Sequence, residues 1–118
     1  MLNISMIRLS GKILIIYGNM KIYRFLEKGE NLGTRQLGAV VREELLRMIS
    51  ENDRVCLDFT GVNVVSNSFA DECIAKLLLS MSIDELKAKT TFQGLNGFAQ
   101  KNIAVAISRR YEIMQASI

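Results

Sequence analysis

Ser66, Asn67 and Ser68 sit where a short apolar run, 55–59, gives way through a polar turn to a helical apolar pattern. The first N–H groups of a helix lack intrahelical acceptors and carry a partial positive charge, so this position suits an anion or an acidic partner. The two hydroxyls offer a second use. A phosphoryl group on Ser66 or Ser68 would bring about −1.5 to −2 charges to the turn. Ser68 and Asp71 also have the spacing of a helix cap, in which the serine accepts a backbone N–H and the acid complements the dipole. Such caps are common and stabilise by about 1 kcal/mol. A cap and a contact face are compatible on one turn. The candidate partner-binding residues are therefore Ser66, Asn67, Ser68, Phe69, Asp71 and Glu72, with Ser66 and Ser68 as the modifiable pair.

Asp58 interrupts an apolar strand on the side opposite Val55, Leu57 and Phe59. A buried carboxylate needs a partner, and the backbone N–H groups of the following turn would serve. Its alternative use is in a ligand site, with Arg35 as the cation and Asp71 as a second carboxylate. The run GENLGTRQLG, 29–38, sets three glycines and Arg35 around the start of another helix, a further place for an anion. That spacing matches no phosphate-binding motif, and glycine before a helix ordinarily serves the turn.

Absences narrow the chemistry. Without histidine there is no imidazole base, no Ser–His or Cys–His nucleophile pair and no imidazole metal ligand. Two cysteines alone do not make a zinc site, so neither a metal nor a cofactor is expected. G-x-G-x-x-G and G-x-x-x-x-G-K-[ST] are both missing. These gaps point away from an enzyme. Net charge is +3, with eight Lys/Arg against four acids in residues 1–50 and seven against eight in the rest. That footprint is mild beside a nucleic-acid binder's, which concentrates Lys and Arg on one face, so nucleic acid is not the expected partner. Arg109 and Arg110 fall near a helix C-terminus, where they would complement its dipole. The apolar run 13–17 is too short to span a bilayer or act as a signal peptide. A cytoplasmic protein is expected, with Cys56 and Cys73 as small buried hydrophobes.

Positioning these residues takes one compact α/β domain over 1–118. Residues 1–30 lean towards strand: 6–9 and 12–17 flank Ser10–Gly11 as a hairpin, and 20–26 reads as strand or part of a helix. Strands follow at 55–59 and 90–95, the second closed by Asn96–Gly97. Three helices are expected. The first is capped by Thr34 and runs to about 50, with Leu37, Val40, Val41, Leu45, Met48 and Ile49 inward. The second runs from 66–68 to about 82, with Ala70, Cys73, Ile74, Leu77 and Met81 inward. The third covers 98–114, with Ile103, Ala106, Ile107, Tyr111 and Met114 inward. Leu79 lies on the polar side of the second helix and marks either packing under the N-terminal segment, a partner surface or a homodimer seam.

LGTRQLG at 32–38, LDFTGVNVVSNSFADE at 57–72 and IAVAISRR at 103–110 resemble the STAS-like family of bacterial domains of unknown function, relatives of the sulfate-transporter and anti-sigma-factor-antagonist domains. The resemblance implies a mixed four- to five-stranded sheet with about three helices mainly on one face, and a family core over 32–114. It also implies a non-catalytic regulator. The antagonists bind a histidine-kinase-like ATPase that phosphorylates a serine at the strand-to-helix turn. A partner of that kind acting in trans is the expectation here. Their turn reads D-S-S-G or D-S-T-G; aligned without gaps, Ser66 takes the aspartate's place, Asn67 the phosphorylated serine's and Phe69 the glycine's. Asn67 cannot be phosphorylated, so either Ser66 or Ser68 substitutes for it or the family binds its partner without phosphorylation. Arg35, Asp58, Ser66, Ser68, Asp71 and Glu72 match the STAS-like pattern itself.

Two readings follow. In one, the start of the second helix docks a protein partner. In the other, Arg35, Asp58 and Asp71 form a small anion- or nucleotide-binding site or an enzyme.

Overall fold

The computed structural model describes residues 2–9 and 12–116, the first two strands up to position 19 as backbone. β1 (Leu2–Leu9) and β2 (Lys12–Arg24) form the expected antiparallel hairpin, with Leu9 opposite Lys12. The turn at Ser10–Gly11 lies outside the described residues. β2 is long enough to serve two partners in succession. Its first part pairs with β1, and Met20–Arg24 pairs in parallel with β4 (Arg54–Asp58). The segment 20–26 is thus the end of a strand, running into a 3-10 turn at Phe25–Lys28.

β6 (Thr90–Gln93) joins β4 in parallel, completing a mixed four-stranded sheet in the order β1-β2-β4-β6. Register places Tyr23, Val55, Leu57 and Thr90 on one face, all buried. Arg24, Asp58 and Gln93 share the other face and are exposed or half-buried, although Cys56 among them is covered. Cys56 and Cys73 are buried free thiols. A second, two-stranded parallel sheet joins β3 (Asn31–Leu32) to β5 (Val64–Val65).

α1 (Arg35–Glu51) begins as expected, with the Thr34 hydroxyl accepting from the Leu37 N–H at 3.1 Å. It buries Gly38, Val41, Leu45 and Ile49; Val40, expected inside, is 55% exposed. The next helical stretch, 67–79, changes character along its length. It opens as the α-helical turn α2 (Asn67–Phe69), widens to a π-helix at Ala70–Ile74 and tightens to a 3-10 helix at Ala75–Leu79. The expected single helix to 82 is therefore wrong. Ser80 ends the stretch, and Ser82 caps a separate α3 (Ile83–Lys89) by accepting from the Glu85 N–H at 3.1 Å. α4 (Gly97–Ala116) starts on Asn96, whose Oδ1 accepts from the Ala99 N–H at 2.8 Å. It buries Ala99, Ile103 and Ala106, but Tyr111 is left 42% exposed. Among the described residues, four helical units after position 34 thus replace the three expected. α1 and α4 both pack against the π-helical segment.

The core is aromatic at its centre. Phe25 stacks on Phe59 with ring centroids 3.9 Å apart and meets Phe69 edge-on at 6.4 Å. Burying each such ring contributes about 1.5–3 kcal/mol.

Candidate functional site

The small parallel sheet brings two helix starts side by side. β3 leads directly into α1 and β5 into the 67–79 stretch. Three bonds fix the junction: the Ser66 N–H donates to the Leu32 carbonyl at 3.0 Å, the Ser66 hydroxyl donates to the Gly33 carbonyl at 3.0 Å, and Ser66 Oγ accepts from the Phe69 N–H at 3.0 Å. From α4, the Asn102 amide donates to the Val65 carbonyl at 2.9 Å. Ser66, not Ser68, is therefore the N-cap. Asp71 does not complete a capping box with Ser68 because arginines claim its carboxylate.

Consecutive acids in the π-helical turn reach opposite neighbours. Asp71 reaches α4, where Arg110 Nη2 donates to its two oxygens at 2.9 and 2.8 Å. Glu72 reaches α1, where Arg42 Nη1 donates to Oε2 at 2.7 Å and also to the Glu72 carbonyl oxygen. Lys76 adds bonds of 2.9 and 3.1 Å to Glu72. Arg35, the first residue of α1, spans both acids, at 2.9 Å from Asp71 and 3.2 Å from Glu72. Gly38 makes this approach of α1 feasible. A Cβ there would lie 3.0 Å from the Glu72 Cβ and 3.3 Å from the Cys73 nitrogen.

The charges set the acids' titration. Lys76 and then Arg42 hold the Glu72 carboxyl at about 2, against the opposing push of burial. For Asp71 burial is the largest influence and raises the pKa, yet Arg110 and Arg35 together overcome it and keep the carboxyl below the usual range. Both acids are ionised at neutral pH.

Beside this network an open cleft of about 220 Å³ lies between α4 and the start of the 67–79 stretch. Arg35, Arg109 and Arg110 line it with Asn67, Ser68, Asp71 and Asn102, over a floor that includes Val105 and Ala106. Asn67 is exposed and Ser68 half-buried. The Ser68 hydroxyl makes no hydrogen bond to the described residues. Around the cleft and its flank, Arg35, Arg42, Lys76, Arg109 and Arg110 outnumber the two carboxylates. With two helix starts adjoining, the site is electropositive.

Several expected site residues stand elsewhere. Phe69 is fully buried against Phe25 and is a core residue, since its side chain leaves the cap towards the aromatic cluster. Glu72 is also buried, at 8% exposure, and is spoken for by its cations. Neither offers itself to a partner. Asp58 accepts from the Thr60 N–H at 2.9 Å and the Thr60 hydroxyl at 2.6 Å, which holds its carboxyl below the usual range. Arg35 and Asp71 line one cleft and pair with each other, but Asp58 is not among its lining residues, so the expected three-residue ligand set does not share that cleft. Leu79 is 63% exposed. Arg42, Lys76, Asn102, Arg109 and Arg110 are the residues that sequence reasoning did not assign to the site. The helical spacing of Asn102, Ala106, Arg109, Arg110 and Ile113 was the available signal for a cleft-facing strip on α4.

A family model described as a STAS-like domain of unknown function matches residues 38–97. No curated protein and no solved structure matches the chain. Asn67, Ser68 and Asp71 fall inside the matched span; Arg35, Asn102, Arg109 and Arg110 fall outside it. No helix among the described residues is long and apolar enough to cross a membrane.

Proposed function

The chain belongs to the STAS-like domain family of unknown function, and from that premise we propose that it is a non-catalytic regulatory module that docks a protein partner at the start of the 67–79 stretch. One observation carries the reading: the helix start opens on a solvent-accessible cleft, with Asn67 and Ser68 at its lip and three arginines in its wall. Behind that lip, Ser66, Phe69, Asp71 and Glu72 are tied into caps, core and ion pairs. Such a rigid base with an exposed polar rim suits recognition, because little is lost in ordering the surface. The partner supplies acidic or phosphorylated chemistry. By analogy with the anti-sigma-factor antagonists, a cytoplasmic histidine-kinase-like ATPase is the class proposed.

Ser68 is the better placed of the two candidate modification sites, as it lines the cleft with an unbonded hydroxyl while that of Ser66 is spent on the cap and on Gly33. Quantitative co-purification tests the docking face. Proteins captured by the wild type should be lost with Ser68→Arg and kept with Lys87→Glu on α3. Equal capture by Ser68→Arg would remove this face from consideration.

A further inference from the structure

We infer that the cleft between α4 and the 67–79 stretch binds a phosphate monoester carried on a side chain of the protein partner, with Arg109 as its anchor. This deepens the docking reading and rests on it, by naming the group the partner inserts.

Charge selects that group. Arg35, Arg109 and Arg110 line the cleft, and Asp71 is the sole acid among its lining residues, which leaves a surplus of two positive charges. A phosphoryl group of about −1.5 to −2 charges matches that surplus. A single carboxylate would leave half of it uncompensated. Geometry agrees with the charge. Arg109 is exposed and makes no ion pair or hydrogen bond with the described residues, so its whole guanidinium fork is available. Arg35 and Arg110 are already held in place by Asp71, at 2.9 and 2.8 Å, each through one edge of the guanidinium. Their remaining N–H groups need no further ordering, and planar forks suit tetrahedral oxyanions. Ser68, also among the lining residues, carries an unbonded hydroxyl that can add a neutral donor.

The full chain, labelled with nitrogen-15, is titrated with inorganic phosphate, a short phosphoserine peptide, the unphosphorylated peptide and AMP, at matched ionic strength. Saturable shifts of the 67, 68 and 106–110 amides are expected with phosphate and, more tightly, with the phosphopeptide, but not with its unphosphorylated twin. Arg109→Ala should weaken phosphopeptide binding about tenfold without changing Tm, and Arg109→Lys should recover part of the loss. Added salt should weaken the binding of both phosphate and the phosphopeptide.

No saturable shift, or equal affinity for wild type and Arg109→Ala, overturns the site. AMP binding tighter than the phosphopeptide overturns the protein source of the group. The docking reading is scored separately by co-purification with Ser68→Arg. Loss of partners in that variant without phosphate binding sinks this inference alone, while phosphate binding with partners retained sinks the docking face alone.

Discussion

Replacing Glu72 by glutamine removes one charge from the middle of the ion network while keeping the side chain's shape. The wild-type side chain is 11% exposed, and its carboxylate faces Arg42 at 2.7 Å, Lys76 at 2.9 Å and Arg35 at 3.2 Å. Exposed pairs contribute about 0–1 kcal/mol, whereas stripping one partner from a buried pair costs about 3–5 kcal/mol. Lys76 and Arg42 bring the Glu72 carboxyl down from 4.5 to about 2, which at roughly 1.36 kcal/mol per unit sets a ceiling of about 3.4 kcal/mol. Lys76 and Arg35 are themselves 27% and 50% exposed, so solvent screens part of this and about 2 kcal/mol is expected at pH 7. The folded pKa lies below the unfolded one. The contribution is therefore complete above about 4.5 and is lost as pH falls through about 2. Asp71 titrates in both proteins and cancels in the difference to first order. Urea unfolding of wild type and Glu72→Gln in steps from pH 7 to pH 2 should show a gap of about 2 kcal/mol that closes towards the acid end. A gap absent at pH 7, or undiminished at pH 2, refutes the reasoning.

The cap assignment predicts an asymmetry between two serines: Ser66→Ala should cost about 1–2 kcal/mol in chemical denaturation, and Ser68→Ala less than about 0.5 kcal/mol. Gly38→Val should destabilise by about 1–3 kcal/mol, read as a lowered urea midpoint, because the new side chain meets the anchored Glu72 and the Cys73 backbone. Phe69→Ala should cost about 3–5 kcal/mol and lower Tm sharply, the behaviour of a core ring and not of a contact residue.

Much of this architecture was legible because local signals and burial agreed. The alternation of Val55, Leu57 and Phe59 marked β4, and Thr34 marked the start of α1. The failures have physical causes. The cap spacing occurs three times, at Ser50/Asp53, Ser68/Asp71 and Ser82/Glu85, and only the last is a cap. Asp71 is diverted by Arg35 and Arg110, which come from 36 and 39 positions away and leave no trace in a local pattern. The same blindness hid the division of 67–79 into α, π and 3-10 turns, since an apolar stripe at helical spacing does not report a change of pitch. Phe69 was misplaced because its spacing is equally compatible with core and rim, and the aromatic partner that decides it, Phe25, lies outside the helix. Arg109 and Arg110 read as dipole partners, but α4 runs on to Ala116 and turns both towards the cleft. The matched family span, 38–97, is shorter at both ends than the 32–110 over which the motifs resemble the family, and the missing ends carry the cleft's arginines.

The most direct trial of the docking face is a photo-crosslinking amino acid placed at Asn67 in cells producing the protein, with the same group at Lys87 on α3 as comparison. The account predicts a covalent adduct to a second protein at position 67, suppressed by Arg109→Ala, and none at position 87. An adduct at 87 alone, or none at 67, would contradict it.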